Sequence, residues 1–276
     1  MKLVVHVGPH KTGTTALQLM LARNRNALGN AGICYPSSMT QHAGHHELSW
    51  SLKGWNLRLL GTYDGPESTT EILTTFMSEA KKAGASTLVL SSEDLSLLTI
   101  DEWDEFFSMT YDISAALNVV IDEVCVTWSR RSVPSSAQSI YSTLVLLGMT
   151  YDFASVDRHL REHFRNVLKR FARLRAPKEF RLRRIRVKWR RKGFVEHWLR
   201  RVLPDIDATQ LTFDEDPVNV SNTLAVSEEL ALDNITRNVI FDKHDLVAWA
   251  TYHDENTVMI QGEARERFLT KLMVRE

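Results

Sequence analysis

Met1-Lys2-Leu3-Val4-Val5-His6-Val7-Gly8-Pro9-His10-Lys11-Thr12-Gly13-Thr14-Thr15-Ala16-Leu17-Gln18-Leu19 opens the chain, and its reading decides the fold. Leu3 to Val7 is a short β-branched apolar run, the length of a buried parallel strand. Gly8 and Pro9 end it. From Thr14 the period changes, with Leu17, Leu21 and Leu28 on one helical face and Met20 beside it. A strand, a tight glycine-containing loop and a helix bring backbone N–H groups to a helix N-terminus. Those groups and the helix dipole suit an oxyanion. Lys11 adds a positive charge, and Thr12, Thr14 and Thr15 add hydroxyl donors.

Outward from this unit the alternation continues. Asn30 to Pro36 reads as a chain reversal and a short strand, Pro66 to Ala83 as a helix, and Thr87 to Leu90 as a second core strand. Ser91-Ser92-Glu93-Asp94 follows at that strand's carboxyl end, where α/β folds bind ligands. Asp101 to Leu117 reads as a helix and Glu123 to Trp128 as a third core strand running toward Arg131. Tyr151 to Arg175 is a long amphipathic helix, Phe180 to Arg190 a half-exposed basic strand, and Gly193 to Leu203 a further amphipathic helix. Val226 to Phe241 and Glu263 to Val274 read as helical. The expectation is an α/β fold, a three-layer sandwich with a central parallel sheet and a P-loop-like strand, loop and helix. No repeat or linker interrupts it, so residues 1–276 read as a single domain.

Composition excludes other classes. With 43% hydrophobic residues the chain can fill a core, and no window approaches the ~18 apolar residues of a membrane span. Cys34 and Cys125 give neither a disulfide framework nor metal spacing. With no signal-like start, the expected location is the cytoplasm. The polar stretch Ser37 to Trp50 holds His42, His45, His46 and Glu47. Adjacent histidines diverge on a helix or strand and the H-E-x-x-H spacing is absent, so no metal is assigned. Formal net charge is zero, yet Arg158 to Arg201 carries 18 Lys/Arg against 3 Asp/Glu. Such asymmetry reads either as a basic face for an anion or as a solvated helix face.

A Walker A loop places lysine after its last glycine. Here Lys11 precedes Gly13, and Lys11-Thr-Gly-Thr-Thr15 resembles the 5′-phosphosulfate loop of sulfotransferases that use 3′-phosphoadenylyl sulfate (PAPS). His6-x-Gly8-x-x-Lys11 and Leu17-Gln18 resemble the bacterial branch of that family. Arg131 and Ser139, eight residues apart from a strand end into the next helix, resemble its 3′-phosphate element. Arg191-Lys192-Gly193 resembles a donor-closing element, with Glu196-His197 where relatives have Gly-Asp.

The resemblance implies transfer of a sulfuryl group from PAPS to an acceptor hydroxyl of a small molecule or carbohydrate, with no metal required and no nucleic-acid partner. It implies donor binding by His10, Lys11, Thr12, Gly13, Thr14, Thr15, Arg131 and Ser139, with Lys11 also neutralising charge on the leaving phosphate. Ala16 stands where cytosolic relatives have the adenine-stacking tryptophan. The general base is Glu93 first, His46 second and Glu47 third. The stretch around His46 would then border the acceptor; the other reading of it is a plain polar surface stretch. Two other classes stand beside this one. One is a P-loop nucleotide kinase of the adenylylsulfate-kinase kind, with Asp94 the nearest candidate for Mg²⁺. The other is a non-catalytic polyanion binder acting through Arg158 to Arg201.

Overall fold

The computed structural model describes residues 1–8, 13–38, 43–54, 68–146, 153–175, 178–188 and 193–213, and of residues 130, 143–146, 155 and 156 the backbone only. Strands β1 (Lys2–His6), β2 (Ile33–Cys34), β3 (Thr87–Ser91), β4 (Glu123–Arg130) and β5 (Arg181–Lys188) form one sheet. All pairings are parallel, in the order β2-β3-β1-β4-β5. Parallel neighbours need crossovers, and the helices supply them. They are α1 (Thr14–Arg23), α2 (Arg25–Asn30), α3 (His46–Leu52), α4 (Thr69–Lys82), α5 (Ile100–Ala116), α6 (Val133–Leu146), α7 (Phe153–Arg173) and α8 (Phe194–Val202). The protein is α/β, with a central parallel sheet flanked by helices.

Of the described residues, those up to Arg130 and from Arg173 onward form one compact unit, and those from Arg131 to Ala172 a second. In the first, alternation along the strands sorts the core into two faces. Val4, Val89, Cys125, Ile185 and Val187 pack with Leu17, Met20 and Leu21 of α1 and with Phe194, Trp198 and Leu199 of α8. Leu3, Val5, Leu88, Leu90, Val124 and Val126 are buried on the opposite face. Right-handed crossovers bring α4 and α5 there, with Phe76, Trp103, Phe106 and Phe107 fully buried. Each such aromatic contributes about 1.5–3 kcal/mol of burial. Both helices start on capping boxes, Ser68 with Glu71 and Thr99 with Glu102. In the second unit Tyr141 of α6 meets Phe153 of α7 edge to face, and Leu160, Phe164, Val167 and Phe171 form the buried stripe of α7.

Two features differ from the sequence reading. The polar stretch from Ser37 to Trp50 contains a helix, α3, whose Leu48 and Leu52, four residues apart, are its buried apolar anchors. The basic strand is out of simple phase. Ile185 and Val187 are buried, while Leu182 falls on the other face among exposed arginines. The segments 226–241 and 263–274 lie outside the described residues. No described helix is long and apolar enough to cross a membrane.

The strand order positions the site. From β1 the chain leaves toward β2, and from β4 it leaves toward β5, so connections diverge between β1 and β4. Crevices outside the carboxyl ends of strands at such a point are where open α/β sheets take ligands. The loop singled out in the sequence follows β1, the central strand.

Candidate active site

The carboxyl end of β1 leads to Gly13, which sits at the N-cap of α1 in the left-handed conformation, φ +87°. Glycine is required twice over at this position. A side chain would be strained at that φ, and a Cβ would stand 2.9 Å from Phe194 Cδ1 of α8. Among the described residues no side chain caps α1, and its first intrahelical bond runs from Leu17 N–H to Gly13 C=O at 3.2 Å. The amides of Thr14 to Ala16 thus precede the helical ladder, the arrangement that receives an anion. Thr14 is buried and Thr15 half-buried. His10, Lys11 and Thr12 lie outside the described residues.

Beside α1, at the carboxyl end of β3, stands a connected group of polar side chains. Gln18 of α1 is buried and donates from Nε2 to Glu93 Oε2 at 2.9 Å. His46, the first residue of α3, has Nε2 3.9 Å from the same Glu93 oxygen and Nδ1 3.3 Å from Asp94 Oδ2. Trp50, one turn along α3, donates from Nε1 to Asp94 Oδ2 at 2.8 Å and stacks on the His46 ring, centroids 5.8 Å apart. Ser92 Oγ lies 3.0 Å from His46 Nδ1 and 3.2 Å from Ser49 Oγ. Gly44 closes the group from the other side. A Cβ there would meet His46 Nε2 at 2.5 Å and Gln18 Nε2 at 2.9 Å, so any larger residue would force the ends of these two side chains to shift.

Electrostatics separates these groups. Burial pulls the His46 ring toward neutrality, but the hydrogen bond and charge of Asp94, with Glu93 and Glu47 behind them, outweigh it and push the pKa up to about 9. Its neighbour behaves oppositely. Burial takes His45 down to about 3, and its neutral ring accepts the Ser91 N–H at Nδ1, 3.1 Å away. Glu47 is buried, which raises its carboxyl to about 7, and its Oε2 has no partner among the described residues.

A second polar layer crosses the sheet at the carboxyl ends of its central strands. In register, Ser91 of β3, His6 of β1 and Thr127 of β4 are neighbours. They continue the face of Val89, Val4 and Cys125, under α1 and α8. His6 is fully buried, with Nδ1 2.9 Å from Ser91 Oγ and its ring edge-on to Trp198. Burial lowers its pKa to about 3, so the ring is neutral. His6 Nε2, Thr127 Oγ1, Ser129 Oγ and Trp198 Nε1 find no partner among the described residues.

Arg131 and Ser139 belong to the second unit. Arg131 immediately follows β4 and donates from Nε to Ser135 Oγ at 2.7 Å. Ser135 and Ser139 are four residues apart on α6, hence on one helix face. Arg131 is thereby turned toward the face that carries Ser139.

The structure thus gathers Glu93, His46 and the Gly13 N-terminus in one unit and pairs the Arg131 and Ser139 face in the other. Sequence reasoning missed Gln18, Trp50, Asp94 as the partner of His46, and His6 with Ser91. Among the described residues no group of three or more His, Cys, Asp or Glu is arranged to hold a metal ion. No family model matches the chain, and neither the curated proteins nor the solved structures gave a match.

Proposed function

We propose that the protein transfers a sulfuryl group from PAPS to an acceptor hydroxyl by in-line displacement at sulfur. The observation that carries this reading is the bond from Gln18 to Glu93. It ties a carboxylate at the end of β3 to the helix whose N-terminus forms the anion loop on β1. A proton acceptor and an oxyanion cradle therefore stand on adjacent strands. Gly13, with an uncapped α1 behind it, fits a phosphate at this place.

PAPS supplies an activated sulfuryl group on a phosphate leaving group. The chain's own residues do the rest. The first amides of α1 with Thr14 and Thr15 hold the 5′-phosphate. Lys11 neutralises the charge that grows on the oxygen that leaves sulfur. Arg131 and Ser139 bind the 3′-phosphate by charge-assisted bonds. Glu93 takes the proton from the acceptor hydroxyl as its oxygen bonds to sulfur. His46 is the weaker candidate for that task, because a ring with a pKa near 9 is already protonated at neutral pH. Its charge instead faces Glu93 across 3.9 Å.

The test is calorimetry with 3′-phosphoadenosine 5′-phosphate (PAP, the spent donor) and adenosine 5′-phosphate in EDTA. Binding of PAP in the micromolar range without metal is expected, with much weaker binding of adenosine 5′-phosphate. Arg131→Ala should erase most of that preference, since each charge-assisted contact is worth about 1.5–3 kcal/mol. Equal affinity for both nucleotides, or binding of MgATP alone, defeats the proposal.

A further inference from the structure

β5 is an edge strand, and five of its eight residues are basic. Arg181 and Arg183 at its amino end pair across the sheet with the single carboxylate of Glu123 on β4. Arg184, Arg186 and Lys188 are not part of that group. They alternate along the strand, so they point to one face at intervals of about 6.6 Å. All three are exposed. Arg184 touches the Leu174 carbonyl at 3.4 Å, while Arg186 and Lys188 have no acidic partner among the described residues. On the other side of β5, α8 adds the exposed Arg200 and Arg201 in its last turn. Charge on an edge strand also blocks pairing with other chains, but either sign does that, and a mixture does it without a field. Here the sign is uniform, and it lies within the stretch that holds 18 Lys/Arg against 3 Asp/Glu.

A row of cations at regular intervals fits a polymer with regularly placed anions. Single-stranded nucleic acid would also stack its bases on exposed aromatics. Among the described residues the exposed large apolar side chains are Tyr111 and Val120, neither on β5 nor on α8. We propose that the exposed row Arg184, Arg186 and Lys188 docks an acidic polysaccharide, bearing carboxylate or sulfate groups, and that this polymer is the acceptor. The acceptor role rests on the sulfuryl-transfer reading; the docking does not.

The experiment titrates the full chain with heparin, with neutral dextran and with a single-stranded oligonucleotide of matched charge, at several salt concentrations. PAP is titrated in parallel. Heparin should bind, more weakly as salt rises, and dextran should not. Replacing Arg184, Arg186 and Lys188 together by alanine should weaken heparin roughly tenfold, the combined effect of three exposed ion pairs, and leave PAP affinity unchanged. The charge reversals Arg186→Glu and Lys188→Glu, made singly, give a second measure that needs less change to the strand. Heparin binding that is absent, or equal in these variants and the parent, overturns the docking surface. Tighter binding of the oligonucleotide than of heparin overturns it in favour of nucleic acid. Heparin binding through these residues with no PAP binding sustains the surface and removes the acceptor role.

Discussion

His46 Nδ1 lies 3.3 Å from Asp94 Oδ2, and this contact decides the charge on the ring. A histidine whose folded pKa is raised to about 9 contributes stability that is complete below its ordinary 6.5 and lost as pH climbs through 9. Glu47, raised to about 7, acts in the same direction between 4.5 and 7. His6 and His45, both lowered to about 3, act oppositely: their unfolded forms bind protons below 6.5 while the folded forms do not, so stability falls toward acid. The expected profile is a dome with its top near neutrality. Asp94→Asn should flatten the alkaline side between pH 6.5 and 9, read by urea unfolding across that range. An unchanged alkaline slope in the variant would show that His46 does not carry it.

Glu93→Gln should keep the fold and PAP affinity and lose about 10²–10⁴ in turnover, the size of a general-base contribution. The amide can still meet Gln18 after a flip, so little structural disturbance is expected. Turnover within a few-fold of the parent would transfer the role to Glu47 or His46.

Gly44→Ala tests the close approach of His46 and Gln18. A Cβ placed 2.5 Å from His46 Nε2 must push the ring or the chain aside. Turnover should drop at least about tenfold, since small misplacements near reacting groups are costly. The thermal midpoint should move less than turnover, because the atoms in the way are the ends of two side chains. Parental turnover would show that the spacing of these nitrogens is unimportant.

Gly13→Ala should cost about 1–2 kcal/mol for the left-handed backbone alone, plus the clash with Phe194. Phe194→Leu in the same chain should recover the clash and not the backbone part. Denaturant unfolding of Gly13→Ala, Phe194→Leu and the double variant separates the two.

The sheet was legible because Leu3 to Val7, Thr87 to Leu90 and Glu123 to Trp128 are apolar runs of strand length bounded by breakers. The helix α3 was not, since seven residues with only Leu48 and Leu52 at helical spacing are too few to show a period. Glu93 was legible as a carboxylate at a strand end. Its partner was not, because Gln18 is 75 residues away and meets it only through the parallel pairing of β1 and β3. The charge on His46 was hidden for the same reason: it belongs to Asp94, which only the fold brings near. Gly44 looked like any loop glycine until the nitrogens beside it were in place.

The polar layer of Ser91, His6 and Thr127 gives the sheet two unequal ends. At the amino end Glu123 is shared among Lys2, Arg181 and Arg183, and the strands are riveted together. At the carboxyl end buried hydroxyl and ring nitrogen atoms have no partner among the described residues, and there valine or leucine would fill the same space at lower free energy. Thr127→Val, which keeps shape and removes the orphan hydroxyl, should therefore raise the urea midpoint. A fall in that midpoint would mean that the hydroxyl is bonded in solution. The molecule gives up stability at the carboxyl end of its sheet, and a stabilising design for this protein should begin there.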